Sequence, residues 1–375
     1  MDHILTLATE EVKKIAATAD EPLRRKMIDT LRDLLYMLET PEETMQRLIL
    51  NLGVFNILSE SDGPLSLQDL TARTGADPVL LGRFLRHQAS LGYIKETAKD
   101  EFTANHTTRN LSVSNIQAGL IFCNDILGPS FQAIPSFLAE RKYKNPTELL
   151  DTPFHKAWKT VDSMYTWLDK RPRETAVFNQ FMHAQRSSVK NCFSFLALYE
   201  ECRDWSSGRG AVFVDVGGGT GQQCKALREK FPDLPGKVVL QDLPTMVAKA
   251  EALEGVEAMA YDFFTPQPIK GAKYYYLRAI LHDHADDKCL EILANIADAM
   301  TDESTLLIDD IVVPNQNVSW YVTQTDLAMM VQFSATDRTE EQWKELLAKA
   351  GLEVQKVTTY THAWQLSVIA ATKAK

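Results

Sequence analysis

At 375 residues the chain is long enough for two domains and a sizeable core, and its 45% hydrophobic and 24% charged content is that of a soluble globular protein. A formal net charge of −10 argues against a nucleic-acid footprint, which needs clustered Lys and Arg. No apolar run approaches bilayer length, the first residues lack a signal-peptide pattern, and the five scattered cysteines include no C-x-x-C pair. These features predict a cytoplasmic protein with reduced thiols, no membrane partner and no zinc site.

In chain order, the pattern up to about residue 210 is almost wholly helical. "EPLRRKMIDTLRDLLYMLETPEETMQRLILNLGVFNILSES" carries apolar residues at three- and four-residue spacing, with Pro41 and the acids after it fitting a helix start. Next, "GPLSLQDLTARTGADPVLLGRFLRHQASLGYIKET" predicts two short helices around a Gly-Ala-Asp-Pro turn, and "GYIKETAKDEFTAN" predicts a β-hairpin. The unit looks like a winged helix-turn-helix. Its second helix offers only Arg83, Arg86 and His87 as basic candidates, so it is read as an interaction module rather than a DNA reader. This region is assigned to residues 1–112. Residues 113–205 form a second helical block, rich in Met and aromatics that include Phe178 and Met182. Such residues make either core or a lid over a site.

From "AVFVDVGGGTG" onward, strand and helix patterns alternate. "AVFVDV", "KVVLQDL", "VEAMAYDF", "KYYYLRAIL" and "STLLIDDIVV" are apolar runs separated by helical stretches, which implies βαβ units and a parallel sheet. The last two runs, within "GLEVQKVTTYTHAWQLSVIAATK", are joined too closely for a crossover and should pair as a hairpin. The expected fold of residues 206–375 is therefore α/β: a Rossmann-like, seven-stranded, mostly parallel sheet with an antiparallel last strand.

"VDVGGGTG" places Asp215, Gly217, Gly219 and Gly221 at the end of the first strand. Glycines there allow a tight turn and close approach of a ligand to the backbone. The spacing breaks the dinucleotide fingerprint, and no Gly-Lys-Ser/Thr follows to make a P-loop. Asp215 would repel a pyrophosphate and attract a cationic amino group, which points to S-adenosylmethionine (SAM). Asp242 in "LQDLP" ends the second strand at the distance from which an acid reaches ribose hydroxyls, and Asp262 in "YDFF" follows the third strand, in reach of an adenine amino group. His282 lies just past the fourth strand in the same crevice. Its candidate roles are a base, a loop histidine or, with His284, a metal ligand; the last is disfavoured for want of a third ligand at suitable spacing.

"FVDVGGGTG", "LQDLP", "YDFF", "YYLRAILHDHADDKCLEIL", "DDIVVP", "DLAMM" and "DRTEEQWKELLAKAGL" occur in the order and spacing of class I SAM-dependent O-methyltransferases. The resemblance spans nearly the whole chain and is to the plant caffeate/flavonoid type and its fungal secondary-metabolite relatives. It implies that the winged-helix region makes a homodimer and that SAM is the cofactor, leaving as S-adenosyl-L-homocysteine, with no metal. By position, His282 matches the catalytic base, and Asp310 and Asp337 match two acids that orient it. Asp242 matches the ribose ligand and Asp262 the adenine ligand; Leu243, Phe263 and Arg278 fall beside the cofactor. Phe178, Met182, Met329, Met330 and Phe333 fall along the acceptor site, and Phe333 suggests an apolar aromatic or polyketide-type acceptor. Two departures stand out: His284 replaces the usual Trp, and both orienting acids are Asp. An enzyme of the same fold that retains SAM while catalysing a pericyclic or dehydration step is the alternative.

Overall fold

The computed structural model describes residues 14–15, 18, 20, 46–187, 192–194, 202, 205, 210–361 and 364–375. Most of the first predicted helical stretch, with Pro41, lies outside them. The chain divides into two compact units, one of residues 1–128 and 171–187, the other of residues 129–170 and 188–375. The helical block expected at 113–205 is thus shared between the two.

The first unit holds the winged helix-turn-helix. Helices Gln46–Asn51 and Val54–Ser59 meet at Gly53, whose φ of 67° a side chain would disfavour. The Leu67–Thr74 helix starts at a capping box in which Ser66 and Asp69 satisfy each other's backbone N–H groups. Asp77 caps the Pro78–Ser90 helix, with Pro78 in its first turn, where no N–H is missed. β1 (Leu65–Ser66), β2 (Lys95–Ala98) and β3 (Glu101–Thr103) form a small antiparallel sheet in the order β1-β3-β2. Val54, Phe55, Leu58, Leu70, Leu81, Leu85 and Phe102 make its core. The Pro172–Ser187 helix packs on Ser114–Ile121 and the π-helical turn Phe122–Leu127. A Cβ on Gly119 would stand 3.0 Å from the Phe181 ring, so glycine permits that approach.

The second unit is built on β4 (Ala211–Val216), β5 (Lys237–Asp242), β6 (Val256–Ala260), β7 (Tyr274–Arg278), β8 (Thr305–Val313), β9 (Arg338–Thr339), β10 (Leu352–Thr361) and β11 (Leu366–Lys373). The order is β10-β11-β8-β7-β4-β5-β6, with β11 antiparallel to both neighbours and β4 to β8 mutually parallel. This is the expected seven-stranded sheet. The two-residue β9, too short to show a period, adds a parallel pairing to the end of β8. β4 and β7 are buried on both faces, as strands with helices on either side must be. One face packs Val214, Tyr275, Ile308 and Ile292 with Trp343; the other packs Phe213, Tyr276, Leu307 and Cys224.

Successive residues of β8 serve opposite faces. Asp309 accepts from Tyr276 Oη (2.5 Å) and Tyr360 Oη (2.7 Å), with Arg278 Nε at 3.5 Å. Burial pushes both phenols up, so they remain donors. Asp310 faces the other way, toward the end of β7. The direction of strand succession reverses at β4, which opens a crevice at its carboxyl end.

Candidate active site

The glycine turn sits at that reversal. Gly217 N and Gly218 N both donate to Gln241 O at the end of β5, at 2.8 and 3.1 Å. Gly217, Gly219 and Gly221 all have positive φ. A Cβ on Gly217 would lie 2.6 Å from Ile280 Cδ1, and one on Gly218 would lie 2.5 Å from the Asp215 carboxylate. The turn is therefore a cradle closed to side chains. Asp242 Oδ2 accepts from Gly219 N and Oδ1 from Leu243 N, each at 2.7 Å. Each carboxylate oxygen keeps a further lone pair for a ligand. Burial raises the Asp242 pKa, and the two backbone donors restrain the rise.

Asp215 is buried under the turn, 1% exposed, with Cys224 Sγ 3.5 Å from Oδ2. Its carboxylate therefore lies beneath the turn rather than on an open wall. Asp262 is exposed, two residues past β6, with Oδ1 accepting from Phe264 N at 3.0 Å. Leu243 is also exposed, and Phe263 packs beside Ile280 over Gly217. His284 lies edge-on to Phe263 and Phe264, at 5.8 and 5.5 Å between ring centres, so it extends this apolar wall. A half-buried acid, a glycine cradle and an aromatic wall, with no cluster of cations among the described residues, fit the nucleoside and amino-acid portions of SAM.

His282 sits in a one-turn 3-10 helix, Leu281–Asp283, after β7. The helix that begins at Asp286 ends any continuation of the strand, so His284 does not share a strand face with His282. His282 Nδ1 lies 3.3 Å from Asp337 Oδ1 and 3.6 Å from Asp310 Oδ1. The first is a hydrogen bond; the second is a charge contact just beyond that range. Burial alone would lower the His282 pKa, but Asp310, Asp283 and Asp337 together raise it to about 10. Asp310 is pushed up to about 6 by burial, against the pull of His282. Both acids are almost fully buried, and the Oδ2 of each has no hydrogen-bond partner among the described residues.

Two residues on the other edge of the ring were not singled out by the sequence. Asp283 Oδ1 is 3.5 Å from His282 Nε2, and Tyr165 Oη donates to Asp283 Oδ2 at 2.9 Å. The Tyr165 ring stacks on Phe333 at 5.5 Å and 22°. Met329, Met330 and Phe333 share the Trp320–Phe333 helix. On the same helix, Asp326 Oδ1 accepts from Asp337 N at 2.9 Å and Thr336 Oγ1 at 3.0 Å, which fixes the backbone that carries Asp337. Phe178 and Met182 belong to the first unit, where Phe178 packs on Phe122 at 5.5 Å. Arg278 is committed to Asp309 on the opposite sheet face from Asp310.

His282, Asp310 and Asp337 also offer three ligand atoms within 4.8 Å of one another, a geometry that a metal ion could use. The sequence spacing did not reveal this, because the acids come from two other segments.

A glycine cradle at the switch point thus lies beside a histidine backed by two acids. An O-methyltransferase domain matches residues 141–353 and an O-methyltransferase dimerisation domain matches residues 45–115. The chain belongs to this family of SAM-dependent O-methyltransferases. Demethylsterigmatocystin 6-O-methyltransferase of Aspergillus flavus is 39% identical over 329 residues, which cover 88% of this chain and 85% of that one. A LepI variant, solved in complex with SAH and a substrate analogue, superposes with a TM-score of 0.89 at 36% identity, covering 99% of both chains. A structure described as a pericyclic reaction enzyme superposes with a TM-score of 0.90 at 36% identity over 100% of both.

Proposed function

We propose that the protein transfers the SAM methyl group to a phenolic or enolic hydroxyl of an aromatic or polyketide-type secondary metabolite, with His282 as general base. The observation that carries this reading is the division of the imidazole: Nδ1 faces the buried Asp337 and Asp310, and Nε2, with Asp283 Oδ1 at 3.5 Å, is the nitrogen for the acceptor. SAM supplies an electrophilic methyl on a sulfonium. Asp215, Gly217, Gly219, Asp242, Leu243, Asp262 and Phe263 are the residues to hold it, with Arg278 behind them. Asp337 fixes the ring and stabilises the imidazolium that forms.

A phenol has a pKa of about 10. The acids facing His282 raise its pKa, so the ring holds the proton it takes from the acceptor once its neutral form is present. A cation bound beside the ring favours that neutral form. Tyr165, Phe333, Met329 and Met330 supply apolar surfaces for the acceptor, and Asp283 accepts a hydrogen bond beside Nε2. Incubation with SAM and a panel of phenols, polyketides and hydroxylated alkaloids should give products heavier by one methyl, with matching S-adenosyl-L-homocysteine.

The similarity to a pericyclic reaction enzyme supports a second reading, in which SAM is retained and the product is an isomer or a dehydrated compound. Turnover without S-adenosyl-L-homocysteine would establish it. The dimerisation-domain match supports a homodimer, and the scattered free thiols fit the cytoplasm. Among the described residues no helix is long and apolar enough to cross a membrane. Light scattering that finds a stable monomer at micromolar concentration would remove the homodimer.

A further inference from the structure

Arg338 follows Asp337 and is 1% exposed, an unusual place for a guanidinium. Its Nη1 donates to Leu281 O at 3.1 Å and its Nη2 to His284 O at 3.0 Å, the carbonyls on either side of His282 and Asp283. Nε and Nη2 both reach Asp286 Oδ1, at 3.1 and 2.8 Å, where the next helix begins. Nη1 also approaches Thr336 O at 3.5 Å, and the plane lies 5.2 Å from the Trp343 ring. Apart from Arg338, the turn is held by side chains, with Leu281 in the core, Tyr165 on Asp283 and His284 on Phe263 and Phe264, while its backbone is weakly bonded. Its own backbone contributes bonds of 3.1 Å (Asp283 N to Ile280 O) and 3.3 Å (His284 N to Leu281 O), and it follows Ala279 at a φ of 49°. Cys289 Sγ adds a weak thiol contact to Leu281 O at 3.2 Å.

We propose that Arg338 is a positioning residue for the reaction: its fork ties the turn carrying His282 to the segment in which Asp337 leads into β9, and so sets the His282–Asp337 distance. Asp337 and Arg338 are chain neighbours, so movement of one carries the other, and the clasp converts the placement of β9 into the placement of the imidazole. A planar fork with fixed donor directions suits two carbonyls and a carboxylate at once; an ammonium does not. The inference rests on His282 being the base.

Arg338→Lys keeps the charge and removes the fork. With SAM affinity and acceptor KM within about threefold of wild type, kcat should fall by about 10²-fold, the loss expected when a reacting group is misplaced by about 1 Å. In a His282→Ala background the same change should slow the residual rate by less than about twofold, because residues acting as one unit are not additive. An equal loss in both backgrounds overturns the proposal, as does unchanged kcat in the single variant. His282→Ala methylating at the native rate would instead remove the base reading itself. Should Arg338→Lys not fold, Asp286→Asn loosens the same guanidinium from an exposed partner. It should lower kcat several-fold in the wild type and not in the His282→Ala background; parallel losses would overturn the clasp.

Discussion

The cofactor crevice and the base turn lie at the ends of neighbouring strands, β4 and β7, yet they are held by different means. The crevice is built from backbone: glycine N–H groups on Gln241 O, and Asp242 bound to two N–H groups from Gly219 and Leu243. The base turn is built from side chains brought from afar: Asp310, Asp337 and Arg338 converge on Leu281–His284, and Asp326 holds the backbone of Asp337. The backbone cradle needs only the glycine turn and the pairing of β4 with β5. A side-chain cradle forms only when the whole unit is folded. Binding and chemistry should therefore fail separately.

The largest separation is expected from His282→Ala. Turnover should fall by about 10²–10⁴ while SAM binding survives, measured by steady-state rates and calorimetry. A variant that no longer binds SAM would merge the two regions and break the comparison. Asp242→Ala tests the other side. Losing a charged acceptor costs about 1.5–3 kcal/mol, which weakens SAM roughly ten- to hundredfold, and kcat at saturation should hold.

Asp326→Ala should be milder. It strips the acceptor from Asp337 N and Thr336 Oγ1, and leaving such a donor unmet costs about 1–3 kcal/mol, part of it as stability and part as a kcat loss of up to about tenfold. The pH profile sharpens the point. Because His282 must be neutral to accept a proton and its pKa is raised, the rate should climb with pH to a midpoint between about 6.5, its ordinary value, and about 10. A midpoint below the ordinary value would mean that the acids do not face the ring in the working enzyme. Chelation should have the smallest effect. Dialysis against EDTA should leave the rate unchanged if His282, Asp310 and Asp337 act as a base and its supports rather than as ligands.

The difference between the regions also explains what the sequence could reveal. "VDVGGGTG" and "LQDLP" are contiguous, and glycine spacing with an acid at a strand end carries its meaning locally. The alternation of strand and helix gave the sheet, including its antiparallel edge, because both periods are local as well. The partners of His282 are not. Asp337 is 55 residues away, and it was reached only through resemblance to a family. Tyr165 stands 118 residues from Asp283, inside a helical block where an aromatic reads as core. Asp283 was visible, but in a run of acids that reads as helix capping; Asp286 and Asp287 do occupy that first turn, and Asp283 does not. Helical periodicity likewise marks helices without saying which core they join, so residues 113–205 gave no sign of being divided between two units.

The adjacent acids of β8 have a consequence for how this enzyme can change. Asp309 anchors two phenols and Arg278 behind the sheet, while Asp310 meets the imidazole in front. Two neighbouring codons thus specify two unrelated jobs, separated only by the pleat. Sliding the strand by one residue would turn each carboxylate to the opposite face, and no such shift leaves an acid at both places, because Ile308 and Ile311 flank the pair. Point substitutions at either position can be explored one at a time, whereas a single-residue insertion or deletion upstream in β8 disables both together. The strand is a place where the lineage can vary its letters but not its length.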